Sequence, residues 1–346
     1  MARILFGVMG DALGHVNRAR ILAQEMTMHE FLFLGGGKVL NLRAEGYRVE
    51  SIPMLSTHYA NHKIDIPATL HNGVRVLSGW NRILKKVGRI ITDFNPDIVL
   101  TDYEVFVPIA ARRLGIPCIS IDHQHFMTKC RFPPPRGQIP GRLMLNLSIR
   151  LFYSNAQHYL ITSFFRLPTI NPADSEIFPP MIRREVKEMI PKAGDHVLVY
   201  QTSPTFHRLL PILEQMPGQY VIYGSDRRPG SKNTVFKSPS TRGFLEDLAS
   251  CRYAITNAGH NVISEALFLG KPVFAFPIHL AYEQFFNGYM LKKMGYGDYS
   301  LTPDPDVKLF MDFETNLDFY QKQIASGNFW GTEDMVRKID ALILNP

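Results

Sequence analysis

The densest chemistry in the 346-residue sequence lies in residues 252–297, RYAITNAGHNVISEALFLGKPVFAFPIHLAYEQFFNGYMLKKMGYG. Tyr253–Thr256 reads as a strand, Asn257-Ala258-Gly259 as a tight turn and His260–Leu269 as a helix. The first N–H groups of a helix have no intrahelical partner and point outward with the positive end of its dipole. The backbone around Gly259, His260 and Asn261 is therefore suited to phosphate. Glu265 falls in the second helical turn, where a carboxylate can accept both hydroxyls of a ribose. Glu283 and Gln284 follow a second strand and its turn on the same rim, and can hold further hydroxyls. The plainer alternative is that Gly259 and Glu265 serve an ordinary strand-to-helix turn and a solvated helix face.

These residues need strand ends and helix starts to stand on, and the surrounding pattern supplies them. RILFGVM is an unalternated apolar run that stops at Gly10-Asp11, and LGHVNRARILAQEM after it has apolar residues at helical spacing. The unit recurs in FLFLGGG with KVLNLRAEG, in DIVL with EVFVPIAARRLG, and in PCISID. Between 166 and 195 the pattern lapses, and Pro168, Pro172, Pro179, Pro180 and Pro191 crowd together as in a linker. Alternation restarts with HVLVYQ and runs through QYVIYG, RYAIT and PVFAFP. The expected fold class is α/β: two Rossmann-like, doubly wound parallel-sheet domains, 1–165 and 196–328, joined by the linker 166–195 and facing a cleft. The closing helix, 329–346, has no strand after it and is expected to pack back on the first domain. Ligands of open α/β sheets sit beyond the carboxyl ends of the strands, so both glycine turns are expected to face the cleft.

Composition narrows the class further. With 45% hydrophobic and 20% charged residues the chain is an ordinary globular one, neither disordered nor fibrous. Cys118, Cys130 and Cys251 are too few and scattered for a disulfide framework or a zinc site, which points to a reducing compartment. The start MARILFGVMGD is no secretory leader, and no run reaches the roughly 18 apolar residues of a membrane span. A cytoplasmic location is therefore expected. The net charge of +7 is unevenly placed: residues 1–173 hold 20 Lys+Arg and 11 Asp+Glu, net +9, and residues 174–346 hold 18 and 20, net −2. No acid lies between Asp122 and Asp174, or between Asp65 and Asp93. The first half thus presents positive charge to an anionic partner.

The order of landmarks in 252–297 (glycine turn, helix with glutamate, Gly-Lys-Pro, strand ending in proline, Glu-Gln, then Asn-Gly) resembles the nucleotide-sugar signature of GT-B glycosyltransferases, both the family 1 UDP-glycosyltransferases and the family 28 MurG type. The resemblance implies a nucleotide-diphosphate sugar, UDP-linked, which is a substrate rather than a cofactor. It assigns the diphosphate to Gly259, His260 and Asn261, the ribose to Glu265, and the donor sugar to Glu283 and Gln284. Asn257 stands where the plant family 1 pattern has a histidine, and Val262 where it has serine or threonine, which shifts phosphate binding toward the backbone. Ser203 is a further phosphate candidate, with plain turn chemistry as the alternative. Gly243-Phe244-Leu245 resembles the loop that pairs with the uracil edge and packs on its ring. A core phenylalanine at a helix start is the other reading.

In the same superfamily a Gly-His after the first strand supplies the histidine that deprotonates the acceptor hydroxyl, a role that falls here on His15. Imidazole suits the task because its proton affinity is near neutrality. Asp102, in NPDIVLTDYEVFVPIAARRLGIP, resembles the aspartate that pairs with that histidine in family 1 enzymes; the MurG type lacks it. The alternatives are simple packing for His15 and a helix cap for Asp102. Asp11 is a less suitable base at neutral pH. His123 and His125 end a strand and are expected to share a face and to bind acceptor or simply line the cleft; no third ligand nearby supports a metal site.

KCRFPPPRGQIPGRLMLNLSIRLFYSNAQHYL mixes cations, Arg142 and Arg150 among them, with Phe132, Leu143, Met144, Leu145, Leu147, Ile149, Leu151 and Phe152, and RVLSGWNRILKKVGRII is basic and amphipathic in the same way; a buried helix with a solvated basic face is the plainer alternative. Such segments suit a surface that meets lipid phosphates. The expected activity is an inverting, metal-independent transfer of a sugar to a hydroxyl of a lipid-linked or anionic cell-envelope acceptor, peripheral on the inner face of an anionic membrane. A UDP-sugar 2-epimerase on the same fold is one alternative. A non-catalytic binder of nucleic acid or another anionic polymer is a second, against which no nucleic-acid module is recognisable.

Overall fold

The computed structural model describes residues 1–60, 63–201, 209–224, 230–238 and 240–344, without the side chains of Tyr59, Ala60 and Lys63. Its first sheet has seven parallel strands in the spatial order Arg48–Ser51, Glu30–Gly35, Arg3–Val8, Ile98–Asp102, Cys118–Asp122, His158–Thr162 and Ser175–Phe178. Its second has six, Thr234–Phe236, Gln219–Tyr223, His196–Tyr200, Ala254–Thr256, Val273–Ala275 and Gly297–Tyr299, also parallel. Each sheet starts in its middle, winds to one edge and returns to build the other. A switch point results beside each first strand, where neighbouring loops diverge and leave a crevice.

Strands buried on both faces explain the unalternated apolar runs. On one side of the first sheet, Phe6, Phe33 and Leu100 pack with Val16 of the helix Leu13–Glu25 and with Met335 and Ile339 of the closing helix Thr332–Leu344. On the other side Leu5 and Val99 meet Leu84, Val87 and Phe106. An apolar seam joins the two domains: Phe126 and Phe165 pack on Phe286, with ring centroids 4.7 and 5.6 Å apart. At the end of the first strand, Gly10 has no room for a side chain, since a Cβ there would lie 1.9 Å from the Gly36 carbonyl oxygen.

The segment 166–195 is more than a linker. Its residues Ser175–Phe178 form the seventh strand of the first sheet, paired with His158–Thr162. Four residues between prolines are too few to display a period, and an outer strand tolerates flanking prolines because one of its edges needs no hydrogen bonds.

The basic windows divide differently from one another. The helix Trp80–Phe94 buries Ile83, Leu84, Val87 and Ile91 in the core and exposes polar and charged residues, Arg82, Lys85, Lys86 and Arg89 among them. The helix Ile139–Ser148 instead turns Leu143 and Leu147, 63% and 58% exposed, to solvent, and Leu151 follows them. The helix Ile66–Ser78 does the same with Leu70 and Val74. The ring of Trp80, which follows the helix Ile66–Ser78, lies 6.3 Å from that of Phe152, which follows the helix Ile139–Ser148. No described helix is long and apolar enough to cross a membrane.

Candidate active site

The strand Ile98–Asp102 carries Asp102 to the first switch point. The helix Leu13–Glu25 holds His15 and Arg18 one turn apart against it. His15 Nδ1 lies 2.6 Å from Asp102 Oδ1. Arg18 Nε donates to Asp102 Oδ2 at 2.7 Å and Nη2 to Oδ1 at 2.8 Å, with Nη2 also 2.8 Å from His15 Nδ1. Nδ1 thus meets an acceptor oxygen of Asp102 and a donor N–H of Arg18 together, which fixes the ring between the two. All three side chains are buried, Asp102 completely. Burial alone disfavours charge on Arg18, but Asp102 outweighs it and the guanidinium pKa is raised. Tyr103, the residue after Asp102, is left-handed at φ 54° and stacks on Tyr153 with centroids 3.8 Å apart.

The second switch point is built in parallel. After the strand Ala254–Thr256, Ala258 takes the left-handed φ of 62°, and Gly259 opens the helix His260–Phe268 with no side chain capping its N-terminus. This uncapped end meets the first domain. Asn261 Nδ2 donates to the Gly14 carbonyl at 3.1 Å, and its Oδ1 accepts from Arg18 Nη1 at 3.2 Å. His260 stacks on His123, centroids 4.0 Å apart. Burial, helped by the charges of His123 and Arg18, holds the His260 pKa well below the ordinary histidine value; burial lowers that of His123 as well. His123 Nδ1 lies 2.8 Å from the Thr162 carbonyl and Nε2 2.8 Å from Asn287 Oδ1. Glu265 accepts both arms of Arg183, Nε at 2.6 Å and Nη2 at 2.8 Å. Glu283 accepts from Gln124 Nε2 at 2.9 Å, again across the cleft.

The model of the family described as Glycosyl transferase family 1 matches residues 2–317, across both sheets and both switch points. The chain belongs to glycosyl transferase family 1. It is 26% identical over 339 residues to an uncharacterized glycosyltransferase of Methanosarcina mazei, with 87% of each chain covered. Among solved structures, Phytolacca americana UGT2, complexed with UDP-2fluoro-glucose and pterostilbene, superposes at a TM-score of 0.69 with 12% identity over 98% of both chains. Acinetobacter baumannii MurG superposes at 0.63 with 15% identity, covering 99% of this chain and all of that one. The two-sheet architecture is thus that of GT-B glycosyltransferases.

Within this glycosyltransferase the sequence-derived candidates divide. His15 and Asp102 are in direct contact, and Gly259, His260 and Asn261 stand at the helix end facing them. Glu265 faces Arg183, and Gln284 turns back so that its Oε1 accepts the Ile278 N–H at 3.0 Å. Leu245 is not a ring-packing residue: it is fully buried in the core of the second domain. Nor does Phe244 offer its backbone to a base. Ser240 caps the helix Thr241–Ser250, the Phe244 N–H bonds the Ser240 carbonyl at 3.0 Å, and its ring lies between Tyr200 and Tyr223. The helix-start reading holds there because a serine three residues before a glycine N–H makes a cap. Ser203 lies outside the described residues. Asp11 anchors the next loop through Ser56 Oγ and the Thr57 N–H. His123 and His125 do not share a face, because the strand stops at Asp122. His125 Nδ1 bonds Asp122 at 2.5 Å, while His123 reaches across to Asn287.

Three partners escaped the sequence reading: Arg18, Arg183 and Gln124. A signal existed for Arg18, a charged residue set among Val16, Ala19 and Leu22 on the buried side of its helix. Gln201, just after the strand His196–Tyr200, is a fourth: its Oε1 accepts from Asn257 at 2.5 Å, while its buried Nε2 has no partner among the described residues.

Proposed function

We propose that this glycosyltransferase moves a sugar from a UDP-linked donor to a hydroxyl of a lipid-linked or anionic acceptor, with inversion and without a metal. The observation that carries the reading is the His15–Asp102 pair lying against an uncapped helix N-terminus from the other domain. His15 Nε2 takes the proton of the acceptor hydroxyl as its oxygen attacks the anomeric carbon. The anomeric carbon–phosphate oxygen bond breaks on the opposite face, and the electron pair leaves with the diphosphate. The free N–H groups at Gly259–Asn261 and the helix dipole offset the developing charge, the role a metal plays elsewhere. Glu265, held by Arg183, presents its remaining lone pairs to the ribose hydroxyls, and Glu283 with Gln284 borders the sugar.

The exposed stripe Leu143, Leu147 and Leu151, beside Arg142 and Arg150, supports attachment to an anionic bilayer, where a lipid-linked acceptor resides. The test is incubation with a panel of nucleotide sugars and membrane lipid extracts, with products read by mass spectrometry and anomeric configuration by NMR. Transfer that survives chelator and vanishes in His15→Ala is expected; transfer unaffected by His15→Ala removes the assignment. Flotation with anionic and neutral liposomes tests attachment: the chain floats with the anionic ones and Leu143→Ser/Leu147→Ser does not. Absence of flotation with either kind rejects the membrane.

A further inference from the structure

We infer that a cavity on the rim of the first sheet holds the phosphate of a lipid-linked acceptor, with the lipid chain against the exposed row of the helix Ile66–Ser78. This deepens the acceptor reading proposed above and rests on it. The cavity, about 550 Å³ in volume, opens beyond the carboxyl ends of the strands Glu30–Gly35 and Arg48–Ser51. Gly36 lines it in contact with Gly10, at the end of the first strand, and Ser56 lines it in contact with Asp11. In the sheet these two strands stand two and three places from Ile98–Asp102. Neighbouring strands are about 4.8 Å apart, so the cavity lies roughly 10–15 Å along the rim from Asp102. That span is left for the part of the acceptor that carries the reacting hydroxyl.

Two helices aim donors at the cavity. Asn72 is buried and spends its Oδ1 on the Ser56 N–H at 2.9 Å, while its Nδ2 has no partner among the described residues. Arg75 lines the cavity one turn further along the same helix, and its guanidinium has no partner among the described residues. Lys86, from the helix Trp80–Phe94, is fixed by a bond from Nζ to the Ser51 carbonyl at 2.7 Å, which leaves two ammonium protons. No acid is among the lining residues, and Asp11 is spent on Ser56 Oγ and the Thr57 N–H. Two cations and an amide suit an oxyanion with several acceptor oxygens; a neutral ligand gains nothing from the charges. The lipid is indicated by the same helix. Ile66, Leu70, Val74 and Leu77 are all exposed, and their spacing puts them in one row. Val74 and Arg75 are consecutive, so the cation stands on the flank of the row. A helix lying with such a row in a bilayer interface holds its flanking cations level with the lipid phosphates.

The experiment uses the full chain and calorimetry with three probes: octyl phosphate below its micellar concentration, octyl glucoside, which has the same chain and an uncharged head, and inorganic phosphate. Octyl phosphate is expected to bind at least about tenfold more tightly than either of the others. Arg75→Gln/Lys86→Gln is expected to weaken octyl phosphate at least about tenfold, and Leu70→Ser/Val74→Ser to reduce it to the affinity of inorganic phosphate, with inorganic phosphate itself unaffected. UDP affinity is expected to be the same in both variants, which separates the cavity from the donor site. All four side chains are exposed; if the charge variant still fails to fold, Arg75→Gln alone decides on the same readout. Octyl phosphate bound equally by the charge variant, or no more tightly than octyl glucoside, overturns the phosphate subsite. Octyl phosphate bound no more tightly than inorganic phosphate overturns the lipid. With the acceptor that the lipid-extract assay identifies, the charge variant is expected to raise KM by more than it lowers kcat. An unchanged KM overturns the subsite and leaves the acceptor reading standing, whereas absence of transfer to any lipid removes that reading and the cavity's role in it, whatever octyl phosphate does.

Discussion

The two switch points are built on one plan and filled in opposite ways. Each has a polar residue at or just past the end of its strand, Asp102 or Asn257, followed by a left-handed residue, Tyr103 or Ala258. The first is furnished locally: His15 and Arg18 of one helix and Asp102 of one strand belong to the same domain and bond one another. The second is furnished from elsewhere. Asn261 is held by Gly14 and Arg18, Glu283 by Gln124, and Glu265 by an arginine of the segment between the sheets. On the proposed function, a proton-transfer site must be fixed before substrate arrives, whereas a shelf that accepts and releases a large anionic ligand works with groups that exchange partners.

The largest expected effect tests the first half of that contrast. His15→Ala is expected to lower the transfer rate by about 100- to 10,000-fold, the usual worth of a positioned general base, with UDP affinity unchanged. Initial rates and calorimetry on the same preparation check it. A parallel loss of UDP binding would mean that the two switch points are not separable.

The second prediction concerns the exchangeable side. Glu265 and Arg183 are both largely buried, so removing one strands the other: Arg183→Ala or Glu265→Ala is expected to cost about 3–5 kcal/mol in denaturant unfolding. The double substitution is expected to cost clearly less than the sum, because neither charge is then orphaned. Additive losses would mean that the pair is not coupled.

What the sequence made legible follows the same division. The switch-point strands and the glycine turn are set by periodicity and by residues close to strand ends, and these read directly, whereas the approach of His15 to Asp102, 87 residues apart, was signalled only by the family resemblance. The partners of Asn261, Glu265 and Glu283 lie 247, 82 and 159 residues away, where no local period points. Leu245 shows the converse error: a family-like tripeptide was overridden by a local cap, since Ser240 starts a helix that turns the leucine inward. Ser175–Phe178 was hidden because four residues between prolines carry too little pattern to reveal a strand.

A third prediction acts on the contact between the two halves. His123 and His260 are stacked, buried and held neutral, each with a lowered pKa. Unfolded histidine takes up a proton near pH 6.5 while these two do so only at lower pH, so the unfolded state binds more protons just below that point. Stability contributed by the closed arrangement is therefore full above about pH 6.5 and falls as pH drops, by at most about 1.4 kcal/mol per unit for each ring. Thermal unfolding followed from neutral to mildly acid pH is expected to show this slope, reduced in His260→Gln. An unchanged slope in that variant would assign the acid sensitivity to other groups.

The smallest effect distinguishes the two left-handed residues. A non-glycine residue in that region is strained by about 1–2 kcal/mol, which glycine relieves at the cost of a more flexible unfolded chain. Ala258 is fully buried but offers only a methyl group, so Ala258→Gly is expected to be neutral or to stabilise by under about 1 kcal/mol. Tyr103 has the same backbone strain but stacks on Tyr153, so Tyr103→Gly is expected to destabilise by about 3 kcal/mol or more. Opposite signs at equivalent positions, read from denaturant midpoints, would show that the first switch point is locked by its own side chains and the second by backbone alone. Equal losses at both would erase the distinction.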